Sequence, residues 1–81
     1  MDYFKDKNGA LFAEDVTVSK IAEEIGTPFY CYSAITIENQ FSDLKNALAG
    51  LPTTICYAVK ANSNIAVIKL LADMGAGADV V

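Results

Sequence analysis

The sequence predicts an α/β chain built on parallel strands, and three observations predict it. From residue 29 onward, β-prone and helix-periodic runs follow one another as strand, helix, strand, helix, strand with short connections. That order gives parallel strands joined by right-handed crossovers. The run Thr53-Thr54-Ile55-Cys56-Tyr57-Ala58-Val59 lacks the polar alternation of a half-exposed strand, as expected where both faces are covered. The 81 residues are 53% apolar and 20% charged, a globular balance, and the length allows one small domain at most. Doubly wound sheets and (β/α)8 barrels both show this order. Two and a half βα units close neither, and no helix follows the last strand, so the chain is expected to be a piece of a longer protein.

The elements follow from local chemistry. Tyr3-Phe4-Lys5 and Ala10-Leu11-Phe12-Ala13 flank Asn8-Gly9, two residues that tolerate the positive φ of a tight turn, so a β-hairpin is predicted. Val18, Ile21, Ala22 and Ile25 recur at helical spacing behind a Thr17 cap and stop at Gly26 and Pro28, which predicts a short helix. Phe29-Tyr30-Cys31-Tyr32 is aromatic-rich and predicts a strand. Ser33 caps a helix with the stripe Ile37, Phe41, Leu44 and Leu48, while Glu38, Gln40, Asp43 and Lys45 lie off it and Gly50 and Pro52 end it. After the strand at 53–59, Ser63 is expected to cap a third helix carrying Ile65, Ile68, Leu71 and Ala72, closed by Gly75. Ala78-Asp79-Val80-Val81 completes the series as a short strand.

Composition excludes several function classes. A formal net charge of −4, with no basic run, offers no footprint for nucleic acid or anionic lipid. Phe29, Tyr30 and Tyr32 have no interleaved basic residues, so they are expected to pack rather than to stack on bases. The start, Met1 to Asp6, is not a secretory signal, and no apolar stretch approaches the roughly 20 residues of a membrane span; a soluble, cytoplasmic chain is expected. Cys31 and Cys56 form no CxxC pair and the sequence has no histidine, so no metal site is expected and both thiols are read as buried and reduced. Gly75-Ala76-Gly77 is not a dinucleotide fingerprint: position 80 is valine where a third glycine should stand, and the segment joins helix to strand.

Lys60 is the residue that carries chemistry. Side chains alternate along a strand, so Cys56, Ala58 and Lys60 should share one face and Ile55, Tyr57, Val59 and Ala61 the other. In a barrel the larger set would pack outward on helices and the small set would leave space beneath the lysine at the C-terminal mouth, where barrel active sites sit. An ammonium there is costly unless paired, solvated or deprotonated, and a deprotonated lysine can condense with a carbonyl. The plain alternative is a lysine reaching from a strand end to water.

Three segments, Gly26-Thr27-Pro28-Phe29-Tyr30-Cys31-Tyr32-Ser33, Tyr57-Ala58-Val59-Lys60-Ala61-Asn62-Ser63-Asn64 and Gly75-Ala76-Gly77-Ala78-Asp79-Val80-Val81, resemble the diaminopimelate decarboxylases. Asp6-Lys7-Asn8-Gly9 and Ala13-Glu14-Asp15-Val16 extend the likeness over almost the whole chain. Ornithine decarboxylases and alanine racemases carry versions of the lysine motif, whereas the three segments in order are more selective. The resemblance implies a (β/α)8 TIM-type barrel with a β-rich C-terminal domain. Residues 28–81 would be the first βα units of the barrel, and residues 1–27, the hairpin and short helix, would associate with the separate β domain. It implies pyridoxal 5′-phosphate as cofactor, with Lys60 as the catalytic residue holding it, Asp79 near the active-site wall and Ala58 close to the pyridoxal ring.

The implied activity is decarboxylation of an amino acid, meso-diaminopimelate to L-lysine in lysine biosynthesis, by a homodimer whose second subunit completes each active site. A racemase of the same barrel family would use the same lysine to exchange a proton, and a pyridoxal-phosphate-binding homologue would retain it without catalysis. The partner of the pyridine nitrogen, which separates decarboxylase from racemase, lies beyond Val81, as do the phosphate-binding and substrate-binding groups. The 81 residues alone are therefore expected to be inactive.

Overall fold

The computed structural model describes residues 3–80, which fall into two compact units, Met1–Thr36 and Ile37–Val81. The first opens with the expected hairpin, β1 (Phe4–Lys7) against β2 (Ala10–Ala13), in the register Phe4↔Ala13 to Lys7↔Ala10. Asn8 and Gly9 take φ of 55° and 82°, the left-handed pair that matches the twist of two strands joined by a two-residue turn. Asp6 Oδ1 accepts the Gly9 N–H at 2.9 Å, and Lys7 Nζ lies 4.9 Å from the centre of the Phe12 ring.

A third strand, β3 (Val16–Thr17), pairs antiparallel with β2 and was not anticipated from the sequence. Its turn is built on Glu14 at φ 55°, where neither glycine nor asparagine marks the bend. Helix α1 (Val18–Ile25) starts as expected, with Thr17 Oγ1 accepting the Lys20 N–H at 3.2 Å, and ends at Gly26, φ 90°. It packs on β2 and β3.

Phe29–Tyr32 is not a strand. Phe29 and Cys31 are half-buried while Tyr30 and Tyr32 are exposed, the alternation of a strand, but among the described residues no segment offers it a ladder of hydrogen bonds. A strand without a partner satisfies none of its backbone groups. Helix α2 (Ala34–Ala47) then begins at the predicted cap: buried Ser33 Oγ accepts the Thr36 N–H at 3.1 Å and donates to Glu14 Oε2 at 2.8 Å. Glu14 Oε2 also lies 3.4 Å from the Ile35 N–H, placing a carboxylate at the helix N-terminus, where the dipole favours it.

In the second unit, β4 (Cys56–Ala58) pairs parallel with β5 (Gly77–Asp79) in the register Cys56↔Gly77, Tyr57↔Ala78, Ala58↔Asp79. Between them run a 3₁₀ turn, Val59–Ala61, and helix α3 (Ile65–Asp73), so the predicted strand–helix–strand crossover with parallel strands is present. The core is Phe41 of α2 with Val67 and Leu71 of α3, joined by Ile37, Ile55, Tyr57, Met74 and Ala76. Ile55 and Tyr57 thus pack against the helices, as the alternation required. The α2 stripe is half realised: Leu44 is 49% exposed.

Three expectations are corrected here. The strand at 53–59 shortens to Cys56–Ala58, with Thr53, Thr54 and Cys56 exposed rather than buried on both faces, because among the described residues β4 pairs with β5 alone. Cys31 is half-buried and Cys56 exposed, both free, for the same lack of covering elements. The α3 cap is Asn64, whose side chain accepts the Ala66 N–H at 2.9 Å, and not Ser63; asparagine caps as well as serine. The buried face of α3 is correspondingly Val67 and Leu71, while Ile65 is 79% exposed. Gly75 closes this helix as expected: at φ 99° its N–H reaches the Ala72 carbonyl, and the Ala76 N–H reaches that of Leu71, both at 3.0 Å. This is a Schellman motif, completed by Ala76 packing against the cluster that holds Leu71.

Candidate functional site

Two of the three predicted site residues are register partners at the C-terminal edge of the parallel pair, and the third follows in the chain. Ala58 ends β4, and its register partner is Asp79, the last residue of β5. Lys60 follows two residues after Ala58, in the 3₁₀ turn. Strand alternation therefore does not extend to Lys60, because the backbone leaves the extended conformation at Val59; its placement is set by the turn. Ala58 is half-buried, and Lys60 and Asp79 are exposed. Among the described residues the ion pairs are Lys20–Glu24 and Lys69–Asp73, both on exposed helix faces, and neither includes Lys60.

The turn is tied down by residues that the sequence reading passed over. Tyr57 Oη donates to the Asn62 carbonyl at 2.7 Å, and the Asn62 N–H reaches the Val59 carbonyl at 3.1 Å. Asn62 Oδ1 accepts the Asn64 N–H at 3.0 Å, so two asparagines spaced i, i+2 fold the backbone from the turn into α3. That spacing was a legible signal, since asparagine side chains bond backbone two residues on. The Tyr57 bond had no such signal.

A hollow of about 310 Å³ lies at the other end of the strands, lined by Phe41, Lys45, Leu48, Leu51, Thr53 and Ile55 among others. None of Ala58, Lys60 and Asp79 lines it, so it is not the open volume expected beneath the lysine. Lys45 extends along this region, with Nζ 3.5 Å from the Met74 carbonyl at the C-terminus of α3. Among the described residues no three His, Cys, Asp or Glu side chains are grouped to hold a metal ion.

What this edge offers chemically is a free primary amine at the end of a parallel strand, a methyl-sized side chain two residues before it, and a carboxylate on the neighbouring strand end. The family model described as pyridoxal-dependent decarboxylase, pyridoxal binding domain, matches residues 34–81. The chain is similar over its full length to the diaminopimelate decarboxylases of Pseudomonas aeruginosa, at 52% identity, and Haemophilus influenzae, at 42%; it covers 20% of each. A crystal structure from Aquifex aeolicus superposes with a TM-score of 0.91 at 43% identity, covering 98% of this chain and 19% of that one. The chain thus spans about a fifth of the length of the curated relatives it matches.

Proposed function

Since this chain belongs to the pyridoxal-dependent decarboxylases, we propose that it is the N-terminal part of a diaminopimelate decarboxylase in which Lys60 holds the pyridoxal phosphate. The observation that carries the reading is Lys60 itself, exposed and without an ion pair at the C-terminal edge of β4 and β5, within a segment matched to a pyridoxal-binding domain. The names of the relatives supply the substrate class.

The residues present fit the cofactor. An amine that forms no internal ion pair would be available to an aldehyde, and Ala58, the last residue of β4, carries only a methyl group. Bound pyridoxal phosphate supplies the aldehyde and a ring that accepts the electrons released as carbon dioxide leaves. Lys60 would hold the group through Nζ and, when not so engaged, would be an amine on this edge able to carry a proton. Asp79, the register partner of Ala58, brings a carboxylate to the same strand edge.

In the same reading β4 and β5 are successive strands of a (β/α)8 barrel that begins near Pro28, and residues 1–27 associate with a separate β domain. Parallel pairing across the α3 connection supports the first part. The homodimer and the cytoplasmic location implied by the resemblance are part of this proposal; no helix among the described residues is long and apolar enough to cross a membrane. The test is carbon dioxide release from meso-diaminopimelate by the full-length protein. Turnover that requires pyridoxal phosphate and disappears in Lys60→Ala is expected. A cofactor-loaded protein that releases none, or a Lys60→Ala variant with normal turnover, contradicts the reading.

A further inference from the structure

We propose that Tyr57 is a positioning residue for Lys60, its hydroxyl fixing the turn that presents the amine; the inference rests on the reading of Lys60 given above. A 3₁₀ turn of three residues, Val59–Ala61, is held by strained i→i+3 hydrogen bonds and is weak on its own. Lys60 contributes nothing to holding it, because its side chain is exposed and makes no ion pair. Tyr57 is different at its two ends: it packs against the cluster of Phe41, Val67 and Leu71, and its Oη donates to the Asn62 carbonyl at 2.7 Å. The residue just past the turn is thereby bonded to a side chain anchored in the core.

The bonding continues onward. Asn62 Oδ1 takes the Asn64 N–H and Asn64 Oδ1 takes the Ala66 N–H, so the first turn of α3 is joined to the same anchor. Lys60 sits between Tyr57 and Asn62 in sequence, inside the loop that this bond closes. Removing the hydroxyl leaves the ring in the core and frees the turn. Catalytic geometry is sensitive to such loosening because a reacting group displaced by about 1 Å can lose on the order of a hundredfold in rate.

The test uses the full-length protein loaded with pyridoxal phosphate and the variant Tyr57→Phe. Cofactor release is expected to be about three- to tenfold faster, the effect of one lost hydrogen bond, and the pH at which the cofactor's absorbance band changes is expected to move. In the cofactor-free protein, amide exchange at Asn62 and Asn64 is expected to speed up. A Leu71→Val variant, which thins the core without touching the hydroxyl, is expected to lower Tm while leaving release and the band unchanged; equal acceleration in both variants means a packing role and overturns the inference. If Tyr57→Phe does not fold, Asn62→Gly, which loosens the backbone presenting the carbonyl, is expected to speed release similarly, and unchanged release overturns the inference. Wild-type protein carrying its cofactor on Lys60 while Tyr57→Phe behaves as wild type overturns this inference alone; wild-type protein with the cofactor elsewhere overturns the reading of Lys60 and this inference with it.

Discussion

Gly77 on β5 faces Cys56 on β4 so tightly that a Cβ built there would lie 2.9 Å from Cys56 Sγ, inside van der Waals contact. Gly77→Ala is therefore expected to destabilise the full-length protein by about 1–3 kcal/mol, the cost of overpacking. Cys56→Ala in the same chain is expected to restore most of it, and equal Tm values for the single and double variants would contradict that account. Glycine at 77 is thus explained by one neighbouring sulfur. Such a pairwise reason is invisible in the sequence, where position 77 reads only as part of a Gly-Ala-Gly turn. Lys60 was legible for the opposite reason: a charged residue closing an apolar strand run is conspicuous without coordinates. What the sequence could not supply was the 3₁₀ turn that carries it, because Val59 and Ala61 are compatible with strand and turn alike.

Caps show at the level of elements how local chemistry and packing divide the work. Asn64→Ala is expected to cost about 0.5–2 kcal/mol through loss of the α3 cap, with Asn64→Ser nearly neutral and Ser63→Ala without measurable effect; thermal melts of the three variants separate the observed cap from the one read in the sequence. Gly75→Ala forces a left-handed residue to carry a Cβ and is expected to cost about 1–2 kcal/mol. The hairpin at Asn8-Gly9, the Thr17 cap and the Ser33 cap were all readable, because each rests on residues within a few positions of one another. Phe29–Tyr32 and the shortened β4 were misread since a strand is defined by its neighbour, and aromatic or β-branched composition does not say whether the neighbour is present. The link from Glu14 to Ser33 spans a separation over which sequence pattern carries no signal.

For the whole molecule, the balance of burial decides what 81 residues can do alone. Ala13, Phe41, Val67 and Leu71 are the buried apolar side chains among the described residues, whereas Ile25, Tyr30, Leu51, Ile65 and Val80 are each at least 60% exposed. Burial of this extent is small against the conformational entropy of ordering the chain. The isolated 81 residues are expected to melt broadly by circular dichroism and to show no decarboxylation; a sharp two-state transition would contradict the first statement. The α/β character and the parallel crossover were legible in the sequence, because alternating periodicities dictate them. The central claim is that the amine at position 60 is the one bonded to the cofactor, and borohydride reduction of the loaded full-length protein followed by peptide mapping tests it most directly. The account predicts a pyridoxyl group on Lys60; the same group recovered on any other lysine would contradict it.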